Sequence, residues 1–64
     1  MNTDLSQRES FLRAKVELYL ERATECFHSG RYRESLHLLD GVWRLDPGNV
    51  EATELHNRAN DQLR

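Results

Sequence analysis

The sequence predicts an all-α fold of three helices, and three observations support this. Apolar residues recur at spacings of three and four along most of the 64 residues, as on one face of a helix. All glycines and prolines except Gly41 fall between these periodic stretches. Charged residues make up 31% of the chain, and the apolar residues between them show no strand-like alternation, which is typical of helices with a solvated face. A chain of this length forms one small domain, at residues 1–64.

The first helix is predicted at residues 6–29. Ser6 and Glu9 have the spacing of a capping box, in which both side chains bond free backbone N–H groups at a helix start. Gly30 can adopt the left-handed conformation that closes a helix. The apolar residues between these ends are Phe11, Leu12, Val16, Tyr19, Leu20, Ala23, Cys26 and Phe27.

The second helix is predicted at residues 32–45. The two-residue connection Gly30-Arg31 returns it antiparallel along the first helix, although Arg31 offers no acceptor as an N-cap. Gly41 costs about 1 kcal/mol relative to Ala inside a helix, and we interpret it as a point of close helix approach. The apolar stripe comprises Leu36, Leu39, Val42 and Trp43. Tyr32 and Trp43 are assigned to packing rather than to binding.

The third helix is predicted at residues 49–63. Pro47 disfavours helical geometry at Asp46, and Asn49 is a favourable N-cap. A narrow apolar stripe, expected to face inward, comprises Val50, Ala52, Leu55, Ala59 and Leu63. A single narrow stripe is typical of a capping helix whose outer face meets water.

Composition and spacing argue against several functions. The net charge is −2 and no basic stripe stands out, which disfavours nucleic acid as a partner. Cys26 and His28 lie about 200° apart around one helix, so no metal site is predicted. No phosphate-binding loop or acid-base pair is present in the sequence. We therefore expect no enzyme activity and no cofactor.

The location of the protein is also predicted from composition. Cys26 is the one cysteine, so the chain cannot form an internal disulfide, which favours a reducing compartment. The start MNTDLSQRES carries acidic residues and lacks the apolar region of a secretory signal. No run approaches the roughly 20 apolar residues of a membrane span. We expect a cytoplasmic protein without membrane partners.

Residues 16–49 resemble a single tetratricopeptide repeat, a 34-residue helix-turn-helix unit. The resemblance rests on Tyr19, Ala23, the turn Gly30-Arg31-Tyr32, the packing residues Ser35, Leu39 and Val42, and the ending Leu45-Asp46-Pro47. Residues 50–64 are similar to the helix that caps such arrays, and residues 1–15 extend the first helix. Arg22 and Cys26 depart from the family, which has large apolar or aromatic residues at these places.

The resemblance implies a concave ligand face on the first helix, at Glu17, Leu20, Thr24, Phe27 and His28. Two apolar anchors beside a carboxylate and an imidazole would suit a helical or extended peptide with apolar and basic side chains. Glu17, Glu21 and Glu25 repel one another at i,i+4 spacing, and a cationic partner would relieve that repulsion. An ordinary solvated face is the alternative.

Phe11 and Leu12 lie beyond the reach of the second helix if its end near Leu45 is level with Val16. Two exposed apolar side chains on such an overhang favour self-association through the first helix, or docking onto another protein. Alternatively, the third helix tilts to cover them or the overhang frays.

These features predict a non-enzymatic protein–protein interaction module or adaptor, TPR-like, that buries an apolar helix face against a partner or a second copy of itself. Phe11, Leu12, Leu20 and Phe27 are its expected anchors. The alternatives are a small helical DNA-binding domain, and an isolated or designed repeat with no function beyond folding.

Overall fold

The computed structural model describes the backbone of residues 3–64 and the side chains of residues 9–64. Over this part of the chain it contains three α-helices and no strand: α1 (Thr3–His28), α2 (Tyr32–Leu45) and α3 (Val50–Gln62). Both α1 and α3 pack against α2, and α3 touches α1 less extensively. The predicted all-α fold of three helices is confirmed.

The start of α1 differs from its prediction. The helix already includes Thr3, the first residue whose backbone is described, so Ser6 lies inside it and not at its N-cap. A capping box needs Ser6 just outside the helix, and that part of the prediction was therefore wrong. The side chain of Ser6 lies outside those that the structure describes.

The end of α1 is a Schellman motif centred on Gly30. Gly30 has φ +80°, and its N–H bonds the Phe27 carbonyl at 3.1 Å. The N–H of Arg31 bonds the Cys26 carbonyl at 2.8 Å, which completes the motif. This confirms the predicted role of Gly30. Arg31 makes no side-chain cap to α2, also as expected.

Small residues let α1 and α2 approach closely, and the two helices run antiparallel. The Ser35 hydroxyl donates a hydrogen bond of 2.8 Å to the Ala23 carbonyl, and both residues are fully buried. The bond satisfies the hydroxyl of Ser35, the buried polar side chain among those described for residues 9–64. The core that continues from it comprises Val16, Ala23, Leu39, Val42 and Ala52.

The Tyr19 ring lies over Gly41, but it leaves more space than a close helix contact would. A Cβ added at Gly41 would lie 3.5 Å from Tyr19 Cε2, which is ordinary van der Waals contact. Close approach therefore does not require glycine here, and that interpretation of Gly41 was wrong.

The N-cap of α3 is Asn49, as predicted: its Oδ1 accepts a 2.8 Å bond from the Ala52 N–H. Ala52 and Ala59 are fully buried, but Val50 is 68% exposed. Val50 was wrongly assigned to the inward stripe, because it lies about 200° from Ala52 around the helix. Leu63, just past the end of α3, is also exposed.

Trp43 and Tyr32 are half-buried and pack against neighbouring side chains. The Trp43 ring lies 4.6 Å from the His56 ring of α3. Tyr32 meets Phe27 edge to face at 5.4 Å. Both aromatics therefore hold helices together, as their positions on the apolar face of α2 predicted.

Candidate protein-binding groove

A groove lies along α1, opposite α3 at one end and opposite the end of α2 and the start of α3 at the other, and we call it the α1–α3 groove. It consists of two depressions of about 210 and 520 Å³ that share Leu20 and Glu51. The smaller one is lined by Leu20, Thr24, Phe27, His28, Glu51, Glu54, Leu55 and Arg58. The larger one is lined by Glu9, Leu12, Arg13, Val16, Glu17, Leu20, Leu45, Asp46, Asn49 and Glu51.

All five residues predicted for the ligand face line this groove. Their spacing along α1 places Glu17, Leu20, Thr24, Phe27 and His28 on one side of the helix. The Thr24 hydroxyl donates a 2.8 Å bond to the Leu20 carbonyl one turn earlier. It is thus bonded within its own helix, while Glu17 and His28 are exposed.

Leu20 and Phe27 form an apolar floor held in place by packing. Both are half-buried, and Leu20 also packs against the core. The Phe27 ring makes edge-to-face contacts with Tyr32, at 5.4 Å, and with His28, at 5.7 Å. An aromatic ring fixed on two sides presents a preorganised surface to a ligand.

The opposite wall, on α3, was missed in the sequence. It is formed by Glu51, Glu54, Leu55 and Arg58, whose spacings of three and four place them on one side of the helix. Leu55 was expected to face the core, and it both packs there and lines the groove. The spacing of these four residues indicates that they share a face of α3. The sequence does not show that this face meets α1, because that depends on how the three helices pack together.

The groove is more acidic than the chain as a whole. Its lining contains five carboxylates and two guanidiniums, giving a net charge of −3 with His28 neutral, against −2 for the whole chain. Glu17 belongs to this lining, whereas Glu21 and Glu25 do not. The carboxylates that line the same depression as Glu17 are Glu9 of α1, Asp46 after α2 and Glu51 of α3, so most of this negative charge comes from outside α1.

Phe11 and Leu12 are exposed, by 64% and 43%, and α3 does not cover them. Leu12 lines the groove together with Val16 and Leu45. Phe11 does not line it, since consecutive residues point about 100° apart on a helix. The two side chains predicted to form one self-association surface thus belong to different faces.

A second exposed apolar side chain, Leu18, lies on the same face as Phe11. It is 44% exposed, and its spacing of seven from Phe11, close to two helical turns, was the available signal for this shared face. Lys15 lies between them, with its Nζ 5.6 Å from the centre of the Phe11 ring. Arg22 follows one turn after Leu18 and is also exposed. We call Phe11, Lys15, Leu18 and Arg22 the Phe11 stripe.

Cys26 lies at the junction of α1 and α2, as predicted. It is 8% exposed, and its Sγ is 3.8 Å from Glu34 Oε2. Among side chains 9–64, no three His, Cys, Asp or Glu residues are grouped so that they could hold a metal ion. Within the described part of the chain, none of the helices has the length and apolar character required to cross a membrane.

The chain was compared with models of known protein families, with curated proteins and with solved structures. The resemblance to tetratricopeptide repeats stays a prediction from the residues given above. The groove and its lining are observations of this structure alone. None of the three comparisons finds a significant match.

Proposed function

We propose that this chain is a non-enzymatic interaction module whose α1–α3 groove binds a partner segment with apolar and basic side chains. The observation that supports this best is the joint position of Glu17, Leu20, Thr24, Phe27 and His28 in one groove. The TPR-like character, the adaptor role and a cytoplasmic location are parts of the same proposal. They rest on the repeat-like residues 16–49 and on the single buried cysteine.

The groove offers two kinds of contact at once. Leu20, Phe27 and Leu55 provide a floor against which a partner can bury apolar side chains. Glu17 and Glu54 are exposed on opposite walls, within reach of lysine or arginine side chains above that floor. An apolar floor with a charged rim is the usual arrangement of a protein-binding surface.

A helical partner fits this groove better than an extended one. Extended peptides gain much of their affinity from main-chain hydrogen bonds to an exposed strand edge, and residues 3–64 contain no strand. The groove side of α1 runs from Glu9 to His28, which at 1.5 Å per residue is roughly 28 Å. That length accommodates several turns of a helix docked through its side chains.

The proposal is tested with a synthetic helix-forming peptide that carries leucine at positions i and i+7 and lysine at i+4 and i+11. We expect binding by fluorescence anisotropy to weaken at least tenfold, or about 1.4 kcal/mol, when Glu17→Lys and Glu54→Lys are combined. The matched control combines Asp40→Lys and Asp61→Lys, which change the net charge equally on exposed residues outside the groove.

The control variant should retain the affinity of the unmodified chain. Equal loss in both variants would show attraction to net charge alone and would contradict a groove site. A peptide with glutamate in place of lysine should bind more weakly than the lysine peptide. Equal affinity for the two peptides would contradict the proposed preference for basic side chains.

A further inference from the structure

The Phe11 stripe has the chemistry that the groove is proposed to bind. Its four side chains fall within about 60° around α1, so they share one face. Phe11 and Leu18 are the apolar members, and Lys15 and Arg22 contribute two positive charges. Glu21 and Glu25 flank this face near its C-terminal end.

The stripe and the groove lie on opposite sides of α1. The α1 residues that line the groove are centred about 175° around the helix from the stripe. The stripe spans 12 residues, from Phe11 to Arg22, or roughly 16 Å of helix, which is shorter than the roughly 28 Å of the groove wall. The stripe is therefore short enough to fit along the groove, and the two surfaces carry charges of opposite sign.

We infer that a second copy of this chain occupies the groove, with its Phe11 stripe docked against Leu20, Phe27 and Leu55 and its Lys15 and Arg22 near the acidic walls. This inference rests on the proposed function, and it names the partner. The stripe is accessible to a neighbouring groove, because Phe11 and Leu18 are exposed by 64% and 44%.

Charge also selects the arrangement of the copies. Stripe against stripe would bring Lys15 and Arg22 of two copies together, and groove against groove would oppose two surfaces of net charge −3. Stripe against groove pairs opposite charges. Because each copy uses two different surfaces, the contact is heterologous, and it extends into open chains of copies unless its rotation closes a ring.

The test combines two variants of the full chain. In the stripe variant, Phe11→Ser and Leu18→Ser remove the apolar anchors without changing the charge. The groove variant combines Glu17→Lys and Glu54→Lys. Mass is measured by sedimentation equilibrium over a range of concentrations, and circular dichroism checks that each variant keeps its helix content.

For the unmodified chain we expect a mass that rises with concentration past that of a dimer, and that falls back with added salt. Each variant alone should be monomeric. An equal mixture should form a complex of two chains and nothing larger, since one variant keeps the groove and the other keeps the stripe. The Asp40→Lys, Asp61→Lys control should assemble as the unmodified chain does.

Three outcomes overturn the inference: a strictly monomeric chain, a groove variant that still assembles alone, or a mixture that stays monomeric. The peptide titration separates these from failure of the groove itself. If the lysine peptide binds while the chain stays monomeric, the groove stands and the second copy is the wrong occupant. If the peptide fails to bind, the proposed function fails whatever the mass shows.

Discussion

Two stretches of α1 carry apolar residues at the same helical spacing, yet their surroundings differ. In residues 16–26, Val16, Ala23 and Cys26 are at most 8% exposed. In residues 9–12, Phe11 and Leu12 are exposed by 64% and 43%. Leu12 lies on the same face of α1 as Val16 and Ala23, and it is exposed because α1 has 26 residues whereas α2 has only 14. Phe11 is exposed because it lies on another face, the one that also carries the exposed Leu18. Helical periodicity shows which side chains share a face, and the reach of the neighbouring helix decides whether that face becomes core or surface.

The largest effect on stability is expected for Leu39→Ala in α2, because Leu39 packs against the covered stretch of α1. Leu39 is fully buried and belongs to the cluster that joins Val16 and Ala23 of α1 to Ala52 of α3. Truncating a buried leucine costs about 2 to 5 kcal/mol in lost burial and cavity formation. A domain of this size has only about 3 to 10 kcal/mol to lose. We therefore expect partial or complete unfolding at 25 °C.

Urea denaturation followed by far-UV circular dichroism measures this change. Leu18→Ala is the matched control, because it removes the same atoms from a side chain that is 44% exposed. Its loss should be well under that of Leu39→Ala. Similar losses for the two variants would mean that the covered and exposed faces of the hairpin are not energetically distinct.

The helices and their ends were largely predictable, because they depend on local chemistry. Gly30 closes α1 and Asn49 starts α3 through bonds that reach only a few residues along the chain. The hairpin register also followed from a short connection. The start of α1 was less predictable, since the Ser6 and Glu9 pattern does not prevent the helix from including the residues before Ser6, back to Thr3.

The groove was only half predictable. The positions on α1 came from the family resemblance, but the wall formed by Glu51, Glu54, Leu55 and Arg58 depends on how α3 rotates against α2. Ala52 and Ala59 fix that rotation by being fully buried. Their small side chains give a weaker hydrophobic signal than Val50, which the sequence analysis wrongly placed inside.

Substitution of two glycines in the α1–α2 hairpin should change the free energy of unfolding in opposite directions. Gly30→Ala should destabilise the chain by about 1 to 2 kcal/mol, because alanine at φ +80° is strained. Gly41→Ala should stabilise it by up to about 1 kcal/mol, since the new Cβ fits against Tyr19 and alanine favours the helix. Chemical denaturation measures the free energy of unfolding of each variant relative to the unmodified chain. A loss of stability at Gly41→Ala would mean that the Tyr19 ring cannot tolerate the contact.

The smallest effect on folding is expected at the overhang, for Phe11→Ser combined with Leu12→Ser. Exposed substitutions usually change stability by less than about 0.5 kcal/mol each, so the pair should cost at most about 1 kcal/mol. The measurement must be made at a concentration where the chain is monomeric, because self-association adds stability by mass action. Under that condition the denaturation midpoint should barely move and helix content should persist. A loss approaching that of Leu39→Ala would place Phe11 and Leu12 in the core, and the distinction between the two stretches of α1 would fail. If only the concentration dependence of stability disappears, the overhang contributes to assembly and not to the fold of the single chain.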